Sequence, residues 1–303
     1  MKVFSLKGTE NWICDRFVEE WYKYNSHYTS NSVYDADVIW LITNWLWNTI
    51  PYEILTTKKV VTTIHHIDQE KVDNAYLQNF AQRDNITDVY HVPCEKTKIA
   101  VEKLTNKPIF VQPFWVNQNI WYEIKDKTSL RKELGLPLDK KLIGSFQRDT
   151  EGYDLKTPKL SKGPDIFCDI VEEMNDAEIV LAGWRRQYVI NRLNKANIKY
   201  HYFEWASFDL MNKLYNCLDL YIISARCEGG PQAVVECALT KTPLISTNVG
   251  LVDAILDKQS IYNIEDIPNI KAEPNIEVAN KNVQKYMILE GLKPFNKFFE
   301  TLK

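Results

Sequence analysis

Ile222 to Gly250, IISARCEGGPQAVVECALTKTPLISTNVG, is the stretch that decides how the chain is read. The apolar run Leu220 to Ser224 predicts a buried strand, Glu228-Gly229-Gly230-Pro231 a turn with a helix opening at Pro231, and Pro243 to Thr247 a second strand. A strand, helix, strand unit puts that turn at the carboxyl end of the first strand, where open α/β sheets bind ligands. Gly229 and Gly230 are expected to take positive φ and let the backbone approach a ligand closely. Pro231 suits the first helical position, where a missing N–H costs nothing. The helix then starts abruptly, and its unsatisfied amides and positive dipole end favour phosphate oxygens. Glu236 stands about 7.5 Å along the helix axis at 1.5 Å per residue, roughly a diphosphate-to-ribose separation. It is expected to accept hydrogen bonds from ribose hydroxyls, while Glu228, outside the helix, faces a sugar beyond the phosphates. Ionised carboxylates suit both tasks because they only accept hydrogen bonds and take vicinal diols in bidentate fashion.

A Glu, seven residues, a second Glu and then Thr242-Pro243 before the next strand resembles the pattern of family-four retaining glycosyltransferases. The resemblance implies an α/β protein of GT-B architecture, with two facing Rossmann-like domains, parallel sheets and an interdomain cleft. Two residues depart from the pattern: Lys241 stands where the family usually has Gly at the helix end, and Gly230 replaces the usual aromatic residue. Neither touches the two carboxylates. A second segment matches upstream, where Lys141 to Phe146 reads as a strand, Gln147 to Ser161 as a long polar loop, and Lys162-Gly163-Pro164-Asp165 as the opening of a helix through Met174. In the family an Arg and a Lys of this segment hold the donor diphosphate, and Arg148 and Lys162 occupy those positions. A departing nucleoside diphosphate gains negative charge as the glycosidic bond breaks, and fixed cations stabilise that charge preferentially in the transition state. Arg does so with a bidentate fork and Lys as a point charge. Lys156 and Lys159 share the loop, which leaves open which lysine reaches the phosphates. The resemblance also implies that Gly183, Trp184 and Phe203 to Trp205, at the ends of strands Ala177 to Gly183 and Tyr200 to Phe203, border the nucleotide. A helix is expected over Phe208 to Leu218.

The N-terminal half alternates strands and helices, which argues a parallel sheet. Strands are expected at Val3 to Leu6, Val38 to Ile42, Lys59 to Ile64, Val89 to Val92 and Pro108 to Val111. Helices are expected at Trp12 to Tyr24, Gln69 to Arg83 and Glu95 to Leu104. The domains are accordingly placed at 1–115 for acceptor binding and 116–290 for the nucleotide sugar. A helix within 291–303, Pro294 to Leu302, is placed to pack back on the first domain. Thr63-Ile64-His65 fits a Thr-x-His that the family sets facing the reacting sugar. His65 is preferred to His66, since adjacent strand residues face opposite sides, and a purely structural histidine is the competing reading. Asn44-Trp45-Leu46-Trp47-Asn48 follows a strand's carboxyl end. Its rings and amides suit a sugar acceptor or an interfacial anchor, or else core packing. Asp35-Ala36-Asp37 looks like a metal-diphosphate signature of another glycosyltransferase architecture, but it immediately precedes a strand and reads as a turn.

At 303 residues the chain exceeds one ordinary core, and 45% hydrophobic with 25% charged residues is a globular composition. A net charge of −3 without a dense Lys/Arg block argues against nucleic-acid binding. The N-terminus begins a strand without signal-peptide character, and Val38 to Ile50 is too short to cross a bilayer. The six cysteines form no C-x-x-C pair and read as reduced thiols in a cytoplasmic protein, with peripheral contact at a membrane's inner face compatible. The expectation is a metal-independent retaining hexosyltransferase with no cofactor beyond a nucleoside diphosphate sugar as donor. Its acceptor would be a carbohydrate, glycolipid or glycoprotein in surface glycan, lipopolysaccharide or glycoprotein assembly. The alternatives are a non-catalytic sugar-nucleotide-binding or scaffold protein, and another GT-B enzyme such as an epimerase or phosphorylase.

Overall fold

The computed structural model describes residues 1–9, 13–267 and 269–302. The chain forms two compact units: Met1–Trp115 with Ile288–Lys303, and Val116–Met287.

The first unit holds five parallel strands in the order β1 (Val3–Ser5), β2 (Val38–Leu41), β3 (Lys59–Thr63), β4 (Val89–Val92) and β5 (Ile109–Val111). Sequential order means that every crossover steps the same way, so this sheet has no point where the winding reverses. β2 and β4 are buried along their whole length, as a parallel strand covered on both faces must be. The first helix runs Ile13–Tyr24, and Trp12, expected to open it, lies outside the described residues. Of the segment Gln69 to Arg83, expected as one helix, Gln69–Lys71 forms only a short 3-10 turn. Asp73 then caps a helix Asn74–Ile86 by accepting from the Tyr76 amide. The last helix, Lys293–Glu300, belongs to this unit: Phe295 and Phe299 are 1% exposed and pack tilted and edge-on, respectively, against Trp40 at 5.2 Å. Trp21, Trp40, Phe114 and Trp115 complete that aromatic core.

The second unit holds six parallel strands in the order β11 (Ile261–Tyr262), β10 (Leu244–Thr247), β9 (Leu220–Ile223), β6 (Lys141–Ser145), β7 (Ala177–Ala182) and β8 (Tyr200–Phe203). The chain winds outward from β6 to β8, then returns to the other side of β6 for β9. The order therefore reverses between β6 and β9. Loops leaving adjacent strands at such a reversal diverge to opposite faces and open a crevice, which is where open α/β sheets take ligands. Ile143, Ile179, Leu181 and Ile222 fill one core beneath it, with Phe167 and Leu193 from the covering helices.

Candidate donor site at the strand reversal

The loop after β6 ends in a 3-10 turn, Leu160–Lys162, followed by Gly163 and the helix Pro164–Glu172. Gly163 is left-handed (φ 61°), and a Cβ there would lie 1.8 Å from the Ser224 carbonyl oxygen at the end of β9. Only glycine permits that approach. Ser224 Oγ in turn donates to the Gly163 carbonyl at 2.7 Å. The amides of Arg226 and Cys227 both donate to the Ser161 carbonyl, at 2.9 and 3.0 Å. The Arg226 guanidinium grips Asp165 with two bonds of 2.8 and 2.6 Å. Burial raises the Asp165 carboxyl, but the Arg226 pair outweighs it and leaves the group below its ordinary range. The loops after β6 and β9 are thus bolted together.

That junction brings Lys162 to Glu228, 66 residues away in sequence, and Lys162 Nζ donates to Glu228 Oε1 with both side chains mostly buried. The Glu228-Gly229 backbone is held from behind by Gly250 (φ 54°), whose Cβ would lie 2.2 Å from the Gly229 carbonyl oxygen. Thr247 Oγ1 donates to the Ala225 carbonyl at 2.6 Å and fixes the loop's other end.

Two expectations for the turn are corrected. The left-handed glycines of this unit are Gly135, Gly152, Gly163, Gly183 and Gly250, and Gly229 and Gly230 are not among them. The helix runs Gln232–Thr240, so Pro231 (φ −60°, ψ 113°) is its N-cap and not its first helical residue. The extended ψ makes the chain enter the helix one residue later, and the N-cap proline supplies no capping side chain.

Glu236, the fifth residue of the helix, is 6% exposed. Its Oε2 accepts from the Tyr215 hydroxyl at 3.0 Å. Burial, reinforced by the Glu236 charge, pushes the Tyr215 phenol well above its ordinary range, so Tyr215 keeps its proton and donates it to Glu236. Tyr215 lies on the helix Phe208–Cys217, and no pattern in the sequence joined it to Glu236. Lys241 at the end of the Glu236 helix is left-handed (φ 55°), the conformation a glycine usually supplies there.

Arg148 follows β6. Its Nε donates to the Thr150 carbonyl at 2.7 Å, and its guanidinium lies 5.5 Å from the centre of the Trp184 ring. The loop expected over Gln147 to Ser161 is internally bonded, with an antiparallel bridge between Thr150 and Pro158. Gly183 (φ 87°) turns the chain at the end of β7, where Trp184 stacks with Trp205 at 6.2 Å. Two residues later Arg186 is fully buried. Its Nε donates to Asp149 Oδ2 at 3.0 Å and its Nη1 to the Ala182 carbonyl at 2.9 Å. This buried pair, invisible in the sequence, ties the base of the Arg148 loop to β7.

His65 belongs to the first unit. Its Nε2 lies 2.9 Å from the Ile42 carbonyl oxygen and 3.5 Å from Cys14 Sγ, and its ring stacks on Phe114 at 5.7 Å. A carbonyl only accepts, so neutral His65 carries its proton on Nε2 and its lone pair on Nδ1. Asn44 Nδ2 donates to the Thr63 carbonyl at 2.7 Å, and Trp45 is 46% exposed on the same 3-10 turn. Asp37 Oδ2 accepts from the Lys2 amide at 2.7 Å at the amino-terminal start of β2, the end opposite the loops that leave the strands' carboxyl ends. Among the described residues no group of three or more His, Cys, Asp or Glu is arranged to hold a metal ion, and no helix is long and apolar enough to cross a membrane.

No family model matches the chain, and no curated protein matches it in sequence. Solved structures do. Anabaena HepE, in complex with UDP and glucose, is similar over 99% of this chain and 98% of its own, at 12% identity and a TM-score of 0.75. Sucrose-phosphate synthase from Thermosynechococcus elongatus is similar over 97% of this chain and 81% of its own, at 14% identity and a TM-score of 0.70. The apo form of the lipopolysaccharide outer core galactosyltransferase WaaB is similar over the whole of both chains, at 11% identity and a TM-score of 0.66. At such identities the likeness establishes the fold, which is α/β and of the GT-B type.

Proposed function

We propose that the protein is a retaining glycosyltransferase that takes a hexose-like residue from a nucleoside diphosphate sugar. The observation that carries the reading is the meeting of Lys162 and Glu228 at the strand reversal, beside a helix start whose N-cap is a proline. A cation, a carboxylate and a helix N-terminus at a topological switch point suit a ligand with phosphates at one end and hydroxyls at the other. HepE, a structural neighbour over nearly the full length of both chains, was solved with UDP and glucose, which supports the same ligand class here.

In this reading Arg148 and Lys162 take the diphosphate, with Gly229, Gly230 and Pro231 forming the turn against it. Glu236, oriented by Tyr215, takes the ribose hydroxyls, and Gly183 borders the nucleoside. Glu228 exchanges its bond to Lys162 for the hydroxyls of the transferred sugar. The bond between the anomeric carbon and the phosphate oxygen breaks as the acceptor oxygen bonds to that carbon. The acceptor's proton passes to the departing phosphate oxygen, and Lys162 stabilises the charge left on the diphosphate. His65 contributes to sugar or acceptor positioning. With fixed cations at the diphosphate, transfer proceeds without a metal, in assembly of a surface glycan, lipopolysaccharide or glycoprotein.

The test is a panel of UDP-, GDP- and ADP-sugars scored by thermal shift, transfer and hydrolysis in the presence of EDTA. A donor that raises the melting temperature and is turned over in EDTA supports the reading. Binding without any turnover marks a sugar-nucleotide-binding protein instead, and activity restored only by manganese overturns metal independence.

A further inference from the structure

Arg185 and Arg186 are neighbours with opposite surroundings. Arg186 is buried and neutralised by Asp149. Arg185 is held at φ 60°, a left-handed conformation that costs a side-chain-bearing residue free energy. Its backbone carbonyl accepts from the Asp149 amide at 3.1 Å and from Thr150 Oγ1 at 3.2 Å, which ties it to the Arg148 loop. Its guanidinium lies 4.6 Å from the centre of the Trp184 ring, the same ring that Arg148 approaches to 5.5 Å. Two guanidinium groups therefore share one indole. Arg185 Nε is buried without a hydrogen-bond partner, and among the described residues no carboxylate pairs with Arg185. Strain that persists at such a position points to a functional constraint. Two like charges gathered on one ring favour an anion between or beside them.

The position fits. β7 adjoins β6, which adjoins β9, so the strands that lead into the Arg185 and Glu228 loops are two strand spacings apart, about 10 Å. A nucleoside diphosphate is long enough to reach across two such spacings. We infer that Arg185 is a further donor-binding residue, which together with Arg148 and the Trp184 ring grips the phosphate chain of a nucleoside diphosphate. The inference rests on the donor reading above. It assigns a role to a residue that the Glu and Arg/Lys pattern does not include. A planar guanidinium held against an aromatic face is pre-organised to present its N–H groups edge-on to phosphate oxygens.

Arg185→Gly separates this role from a structural one, because glycine relieves the left-handed strain while removing the charge. Calorimetric titration of the full chain with UDP, GDP, ADP, the matching nucleosides and inorganic pyrophosphate is the experiment, with melting temperature recorded for each variant. The expected result is a melting temperature equal to or above wild type, nucleoside diphosphate affinity lowered about 10- to 100-fold, and unchanged nucleoside affinity. That fold-change is the range of a charged hydrogen bond. Loss of pyrophosphate binding alone would place the anion site outside the nucleotide and overturn the inference. Wild-type affinity for nucleoside diphosphate in Arg185→Gly overturns it and leaves the donor reading intact. If the wild-type protein binds none of the nucleotides, the donor reading falls and the inference with it.

Discussion

Replacing Glu228 with glutamine removes one negative charge and preserves the size of the side chain. Lys162 and Glu228 are bonded to each other with side chains only 17% and 14% exposed, so a diphosphate that recruits Lys162 competes with the Glu228 carboxylate and must approach its charge. A hydrogen bond between charged groups contributes about 1.5–3 kcal/mol. Residual solvent screening reduces that here to about 1–2 kcal/mol. At 1.4 kcal/mol for each factor of ten, Glu228→Gln is expected to bind the nucleoside diphosphate product about 5- to 30-fold more tightly than wild type. Turnover should fall steeply in the same variant, because the carboxylate that orients the sugar hydroxyls is gone. Lys162→Met removes the cation instead and should weaken product binding. Titration calorimetry for the diphosphate and initial rates with the full donor sugar read the two effects separately. Equal or weaker diphosphate affinity in Glu228→Gln refutes the competition, and unchanged turnover removes Glu228 from the chemistry.

Other consequences can be measured without knowing the donor. Burial, opposed by the bond to the Gln112 carbonyl, lowers His91 from 6.5 to about 3, so the native state keeps it neutral while the unfolded chain protonates it below about pH 6.5. Stability should therefore fall as pH drops, by about 2 kcal/mol between pH 7 and pH 5 from this residue. Urea midpoints for wild type and His91→Gln at both pH values should show the smaller drop in the variant, and parallel drops would contradict the assignment. Arg186→Met leaves Asp149 buried without its partner and should cost about 3–5 kcal/mol, or about 6–20 °C in melting temperature. Adding Asp149→Asn should recover part of that loss, and a double variant no better than the single one argues against the pair. Lys241→Gly relieves a left-handed backbone and should raise stability by about 1 kcal/mol in urea unfolding, so a loss would mean that the contact with Glu123 matters more than the dihedral.

Much of the fold is legible in the sequence. Short apolar runs separated by helical segments identify parallel strands buried on both faces, and the expected strands differ from those observed by a residue or two at their ends. The segment Gln69 to Arg83 misled because its helical composition begins before the cap: Asp73, not Asp68, starts the longer helix. Glu228 and Glu236 stood out because carboxylates flanking a Gly-Gly-Pro turn have few structural uses, and Arg148 and Lys162 because their segment resembles one that holds a diphosphate in a known family. Gly163 and Gly250 carried no such signal, since their requirement comes from the carbonyls of Ser224 and Gly229, distant in sequence, pressing where a Cβ would sit.

Local pattern thus determined which segments become strands and helices and which turn bears the carboxylates, because apolar periodicity, helix entry and turn chemistry act over a few residues. Tertiary structure alone decided the order of the strands, the left-handed glycines, the pairing of Lys162 with Glu228, and the bond from Tyr215 to Glu236. Each of those depends on chain segments tens to hundreds of residues apart being packed to van der Waals contact, and no local pattern records which distant backbone will arrive there.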